Sequence, residues 1–201
     1  MHNRSTLDIR RGILSTLAAF AMVLLPAVAI HAASVRPMDL DAVVDDAAIV
    51  FQGRATESRS AVEASGEIVT YTTFQVEEPI KGPVGMTHMI KQIGGRVGDK
   101  VYKVDGIPSF SPGQRYVVFL YGVSAQGFSS PVGLAQGRFD IVARDGVFEV
   151  GNGRDFRELL APIPESVLPP TVRAKLNAKS SSVERLELGE FKRLVRERAG
   201  R

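Results

Sequence analysis

The 201-residue sequence contains no cysteine, and that one absence removes several classes at once. Disulfide staples, thiolate nucleophiles, cysteine-ligated zinc and lipid attachment through a cysteine are all excluded. Stability must then come from buried apolar surface, which a chain of this length can supply. Tryptophan is also absent, and histidine occurs only at His2, His31 and His88. There is no G-x-S-x-G elbow, no H-E-x-x-H pair and no Walker loop. The sequence therefore points to no catalytic residue, no cofactor and no metal-ligand set, and it reads as that of a non-enzyme.

A strong charge is lacking too. Lys and Arg number 25 against 22 Asp and Glu, a net charge of +3. Residues 1–33 hold three arginines and one aspartate, so the remainder carries 22 basic and 21 acidic side chains. Such a balance leaves no electrostatic footprint for nucleic acid. Basic residues interleaved with aromatics, which single-strand binding wants, come nearest at Lys91, Arg96, Lys100, Tyr102 and Lys103. No nucleic-acid partner is expected.

What is present begins with an export signal. Arg4, Arg10 and Arg11 precede an apolar run from Gly12 to Ile30 that ends in the small residues of "AVAIHAAS". A basic head, an apolar middle and a small-residue end describe a secretory signal. Ala27 and Ala29 fit the small-x-small cleavage rule, with a cut after Ala33 as the near alternative. The rival is an uncleaved anchor, since the run approaches the roughly 20 residues that span a bilayer. Pro26 and the alanine-rich exit favour cleavage. The expected organisation is a signal peptide at 1–33, a β domain at 34–153, and a proline-rich crossing with a C-terminal helix at 154–201. The expected location is exported, periplasmic or secreted.

Leu40, Val43, Val44 and Ala47 recur at helical spacing behind Asp39, a capping residue. Asp41, Asp45 and Asp46 fall off that stripe and read as a solvated face. "AIVFQGRA", "GEIVTYTTFQVEE", "MTHMIKQI", "RYVVFLYGV" and "GRFDIVA" read as strands, rich in β-branched and aromatic residues. Asp145-Gly146 between apolar alternations is a hairpin turn. Leu188, Phe191, Leu194 and Val195 share one side of a terminal helix, with Lys192, Arg193, Arg196 and Arg198 around the rest. That helix is expected to dock on the domain, its cations suiting its dipole. Membrane binding is expected only if this helix stays free or the signal stays uncleaved.

"IGGRVGDKVYKVDGIPSFSPGQRYVVFLY" is dense in glycine, but no helix follows the glycines, so they shape a hairpin and hold no phosphate. Arg96, Lys100, Tyr102 and Lys103 lie on that protrusion and are the candidate partner-binding residues. A tyrosine supplies contact area and cations supply steering. The favoured partner is a protein or peptide. The alternative is a small hydrolase built on spatially assembled carboxylates drawn from Glu77, Asp99, Asp105 and Asp140. Glu77 and Glu78 are adjacent on a strand and should face opposite ways. His88 is a lone strand histidine, expected to be packed or surface.

Short strands, tight turns, a leading helix and no disulfides suggest a mainly β fold, a small antiparallel barrel of five to six strands. "LDAVVDDAAIVFQGRATES", "TYTTFQVEEPIKG", "QIGG", "GIPSFSPGQRYVVFLY" and "VGLAQGRFDIV" occur in that order. Their succession, over Leu40 to Val142, resembles a family of uncharacterised bacterial exported proteins. The shared marks are F-x-V-E-x-x-x-K-G at a strand end and G-x-P-x-F-x-x-G-x-R before a hydrophobic strand. That pattern is similar in turn to the OB-like barrel in its netrin-like, metalloproteinase-inhibitor form. The resemblance implies a noncatalytic binding module, accessory to or inhibitory of an exported metallopeptidase. Netrin-like inhibitors place an N-terminal cysteine on the target's metal, and this chain has none.

Overall fold

The uninterrupted apolar run from Tyr116 to Leu120 is buried on both of its faces. Val117 and Phe119 join one hydrophobic cluster; Tyr116, Val118 and Leu120 join another. A strand covered on both sides loses the apolar–polar alternation of a half-exposed one. In the computed structural model, which describes residues 36–179 and 182–200, this strand sits at the centre of the larger sheet. The signal expected at 1–33 lies outside the described residues.

Helix α1 (Leu40–Asp46) is capped by Asp39, whose side chain accepts from the Ala42 amide at 2.8 Å. The strands are β1 (Ile49–Val62), β2 (Ile68–Lys81), β3 (Thr87–Ile93), β4 (Gly95–Val97), β5 (Lys100–Tyr102), β6 (Arg115–Leu120), β7 (Arg138–Arg144) and β8 (Val147–Gly151). Helices α2 (Phe156–Leu159) and α3 (Pro170–Asn177) follow, then β9 (Leu186–Glu187) and α4 (Leu188–Ala199). The main sheet is antiparallel in the order β3-β2-β1-β6-β7-β8-β9, and β4 pairs with β5 in a separate hairpin. The β7–β8 turn is Asp145-Gly146, both at positive φ, as a tight hairpin requires.

The mainly β class stands, but the sheet has seven strands, not five or six. Among the described residues no pairing joins its end strands β3 and β9. Closure depends on strand coil and stagger, which alternation does not encode. The return strand of the Asp145-Gly146 hairpin is β8, as its turn implies, and the strand beyond the expected set is the two-residue β9, directly before α4.

Bulges bend the long β1–β2 pair. The register slips at Val50/Phe51, Gln52/Gly53 and Ala55/Glu57. Each slip leaves one residue unpaired and increases local twist. The last one changes which parity of β1 faces the Phe74 side: Phe51 and Ala55 before it, Ser58 and Ser60 after it.

The helices cover the other face. Residues 154–179 and 182–200 fold into the same compact unit as the sheet, and Leu188, Phe191, Leu194 and Val195 of α4 are buried there. Phe191 lies among Phe139, Phe156 and Phe119, with ring centroids 4.7, 5.8 and 6.3 Å away. The apolar face of α4 is thus occupied by the core. Arg198 is not on a solvated side: it is buried, with Nε 3.0 Å from Asp41 Oδ1, so Asp41 is not simply solvated either. No helix of the described residues is long and apolar enough to cross a membrane.

Candidate binding site

Two consecutive glycines set up the site. Gly94 and Gly95 have φ of +93° and +142°, which side-chain-bearing residues rarely adopt. A Cβ on Gly95 would stand 2.5 Å from Thr70 Oγ1 and closer still to Ser60 Oγ. The chain therefore crosses the end of the β1–β2 hairpin at backbone distance before entering β4. The Arg96 amide donates to Ser60 Oγ at 3.3 Å, and Thr70 Oγ1 donates to the Gly94 carbonyl at 2.7 Å.

Beneath the β4–β5 hairpin lies a cleft of about 370 Å³. Its polar floor comes from Ser58 of β1, Thr70 and Thr72 of β2, and Gln92 of β3. Its apolar walls include Ile93, Val101, Ile107 and Phe110. The inner end is closed by Phe110, whose ring stands 5.0 Å from Phe74 and 5.1 Å from Tyr116. The interior of the bent sheet thus grades from an aromatic cluster into a strip of hydroxyls and an amide.

Of the four candidate residues, Arg96, Tyr102 and Lys103 line this cleft. Lys100 is on β5 with its neighbours, exposed, but does not line it. Tyr102 is 48% exposed, and no ion pair holds Arg96, Lys100 or Lys103 among the described residues. The floor residues were missed by sequence reasoning. The available signal was phase: Thr70 and Thr72 alternate with Phe74, and Gln92 alternates with Ile90, so all were due to share an inward face.

The four candidate carboxylates lie in different surroundings. Glu77 accepts from Arg115 Nε at 2.8 Å and from Gln52 Nε2 at 2.7 Å. Asp140 is held by Arg138 through both oxygens at 2.9 Å. Asp99 lies at the β4–β5 turn and Asp105 in the loop beyond β5, both exposed. Glu77 and Glu78 do not diverge as neighbours on a regular strand would. The bulge leaves Glu77 without a partner residue across the sheet, while Gln52 faces Glu78. Lys192 Nζ donates to both Gln52 Oε1 and Glu78, and Arg196 also pairs with Glu78. Both carboxylates therefore join one network, saturated with cations. Burial pushes the Lys192 ammonium down, opposed by the charge of Glu77.

His88 is half-buried against Phe51, ring centroids 5.4 Å apart, and its Nε2 has no hydrogen-bond partner. Burial pushes its pKa below the ordinary value. Glu63 accepts from Lys91 Nζ at 2.7 Å and from the Tyr71 hydroxyl. Those two bonds, Lys91 first, hold its carboxyl below the usual range, and the same carboxylate raises Tyr71. Among the described residues no group of three or more His, Asp or Glu is placed to hold a metal ion. Compared with known proteins, the chain matches no family model and no curated protein.

Proposed function

We propose that this chain is an exported, noncatalytic binding module that engages a protein or peptide partner through the β4–β5 hairpin. The observation that carries this reading is one exposed hairpin, set over a cleft, bearing a tyrosine and three cations that form no ion pair among the described residues. Recognition commonly sits on loops held by a rigid scaffold, and the paired glycines anchor this one to β1 and β2. Exposed aromatic area and unpaired positive charge are what a partner surface supplies. The basic and apolar N-terminal segment supports export. The order of motifs from Leu40 to Val142 supports an OB-like, netrin-like barrel, and the bulged β1–β2 pair supplies the bending such a barrel needs. A narrower form is an accessory or inhibitor of an exported metallopeptidase, acting without a metal-directed cysteine.

The test uses the full chain as bait in an envelope extract, beside the Tyr102→Ala, Lys100→Glu, Lys103→Glu triple variant. The variant should keep its melting temperature, because exposed substitutions usually shift stability by less than about 0.5 kcal/mol. A stoichiometric partner should be retained by the parent and lost by the variant. Equal recovery by both would refute the hairpin as the contact surface.

A further inference from the structure

We propose that the cleft beneath the β4–β5 hairpin captures the C-terminal residue of an extended peptide. Arg96 and Lys103 hold its carboxylate at the rim, and the apolar walls take its side chain. This rests on reading the hairpin as a partner-binding edge, and it names what the partner presents there.

Shape comes first. At about 370 Å³ the cleft is at the small end of ligand pockets, with room for a chain end but not a folded element. Phe110 closes its inner end against Phe74 and Tyr116, so whatever enters stops there. Ile93, Val101 and Ile107 make the walls apolar.

Charge comes second. Arg96 and Lys103 are the charged residues of the lining, and no Asp or Glu among the described residues accompanies them. Asp99 and Asp105 are close in sequence, but neither lines the cleft. Both cations are exposed, so a carboxylate held there stays partly solvated and escapes the cost of burial.

The floor separates a peptide from other apolar acids. Gln92 is 3% exposed and donates from Nε2 to the Pro108 carbonyl at 3.2 Å. A carbonyl oxygen cannot donate, so this bond sets the orientation of the amide. Among the described residues Gln92 Oε1 accepts no hydrogen bond, leaving an acceptor for an incoming N–H. A fatty acid would satisfy the rim and the walls but has no donor for that oxygen. A peptide chain end supplies the anion, the apolar group and the N–H together.

The experiment is fluorescence anisotropy of the full chain with N-terminally labelled GSGAL, as the free acid and as the C-terminal amide. GSGAE amide serves as an internal-carboxylate control. The free acid should bind about tenfold tighter than either amide. Arg96→Ala with Lys103→Ala, both exposed, should erase that preference, and Gln92→Met should weaken acid and amide alike, with melting curves confirming that each variant folds. Equal affinity for acid and amide, GSGAE amide matching the free acid, no binding of any peptide, or a preference surviving the double variant would each overturn the proposal. Unchanged affinity in a folded Gln92→Met protein would overturn the role of the amide. If the hairpin still retains a partner while the peptides show no terminal preference, this inference falls and the partner-binding reading stands. Loss of both removes both.

Discussion

Replacing Phe191 by alanine tests the largest energetic assertion about the fold, that the C-terminal helix is part of the core. Phe191 is fully buried, and its ring meets three others at 4.7 to 6.3 Å. Burying a side chain of this size is worth about 1.5–3 kcal/mol. Each aromatic pair adds about 0.5–1.5 kcal/mol when well oriented. The lower end of their sum over three pairs meets the roughly 3–5 kcal/mol measured for Phe→Ala in cores, where the residual cavity also counts. Against a typical stability of about 5–15 kcal/mol, such a loss is severe. Urea unfolding is the assay. With a slope near 2 kcal/mol per molar, within the usual range, the midpoint should fall by about 2 M. Phe191→Leu keeps aliphatic bulk but loses the ring pairs, so its midpoint should fall by less than that of the alanine variant. A midpoint shift below about 0.5 M for the alanine variant, at unchanged slope, would refute the reasoning and detach α4 from the core.

Three further outcomes follow from named contacts. Gly95→Ala should destabilise by about 1–3 kcal/mol through forced positive φ, plus the clash with Ser60 and Thr70, and should speed amide exchange across β4–β5; an unchanged melting curve and exchange pattern would sink the close-crossing account. Asp41→Ala leaves the buried Arg198 only the longer contact to the more exposed Glu197, at 3.6 Å, and should cost up to about 3 kcal/mol, whereas Asp41→Ala with Arg198→Met should recover most of it; no recovery in the double variant would show that the guanidinium was not the cause. For His88 the folded pKa lies below the ordinary value, so as pH falls through about 6.5 the unfolded chain binds the proton first and stability drops. Glu63 and Asp155, both lowered carboxyls, titrate below that window. Urea midpoints should therefore fall from pH 7.5 to 5.5 in the parent and stay level in His88→Phe; a level parent would contradict the burial argument.

The legible parts of this fold are those where one residue's role depends on near neighbours. The spacing of Leu40, Val43, Val44 and Ala47 marks α1 because helical neighbours share a face whatever else the chain does. Leu188, Phe191, Leu194 and Val195 mark α4 for the same reason, and Asp145-Gly146 marks a turn through its own backbone freedom. The illegible parts depend on where a ladder slips. Nothing in "FQVEEP" announces that the slip opposite Gln52 will leave Glu77 unpaired and gather it with Glu78 into a single cation-saturated network. A regular strand would have separated them, and the alternation rule fails at the one place where a bulge breaks it.

The cleft is divided along the same line. Arg96, Tyr102 and Lys103 could be picked out because a glycine-rich hairpin advertises its own exposure. Its floor could not, since Ser58, Thr70 and Gln92 come from three strands whose mutual register sets the site. The bulge at Ala55/Glu57 is decisive here. Without it Glu57 and Arg59, not Ser58 and Ser60, would share the parity of Ala55 and face Thr70 and Thr72. The cleft would then have a charged floor, an acid and a base where hydroxyls now stand. One inserted residue in β1 thus keeps Glu57 and Arg59 off the face of the sheet that Thr70 and Thr72 share.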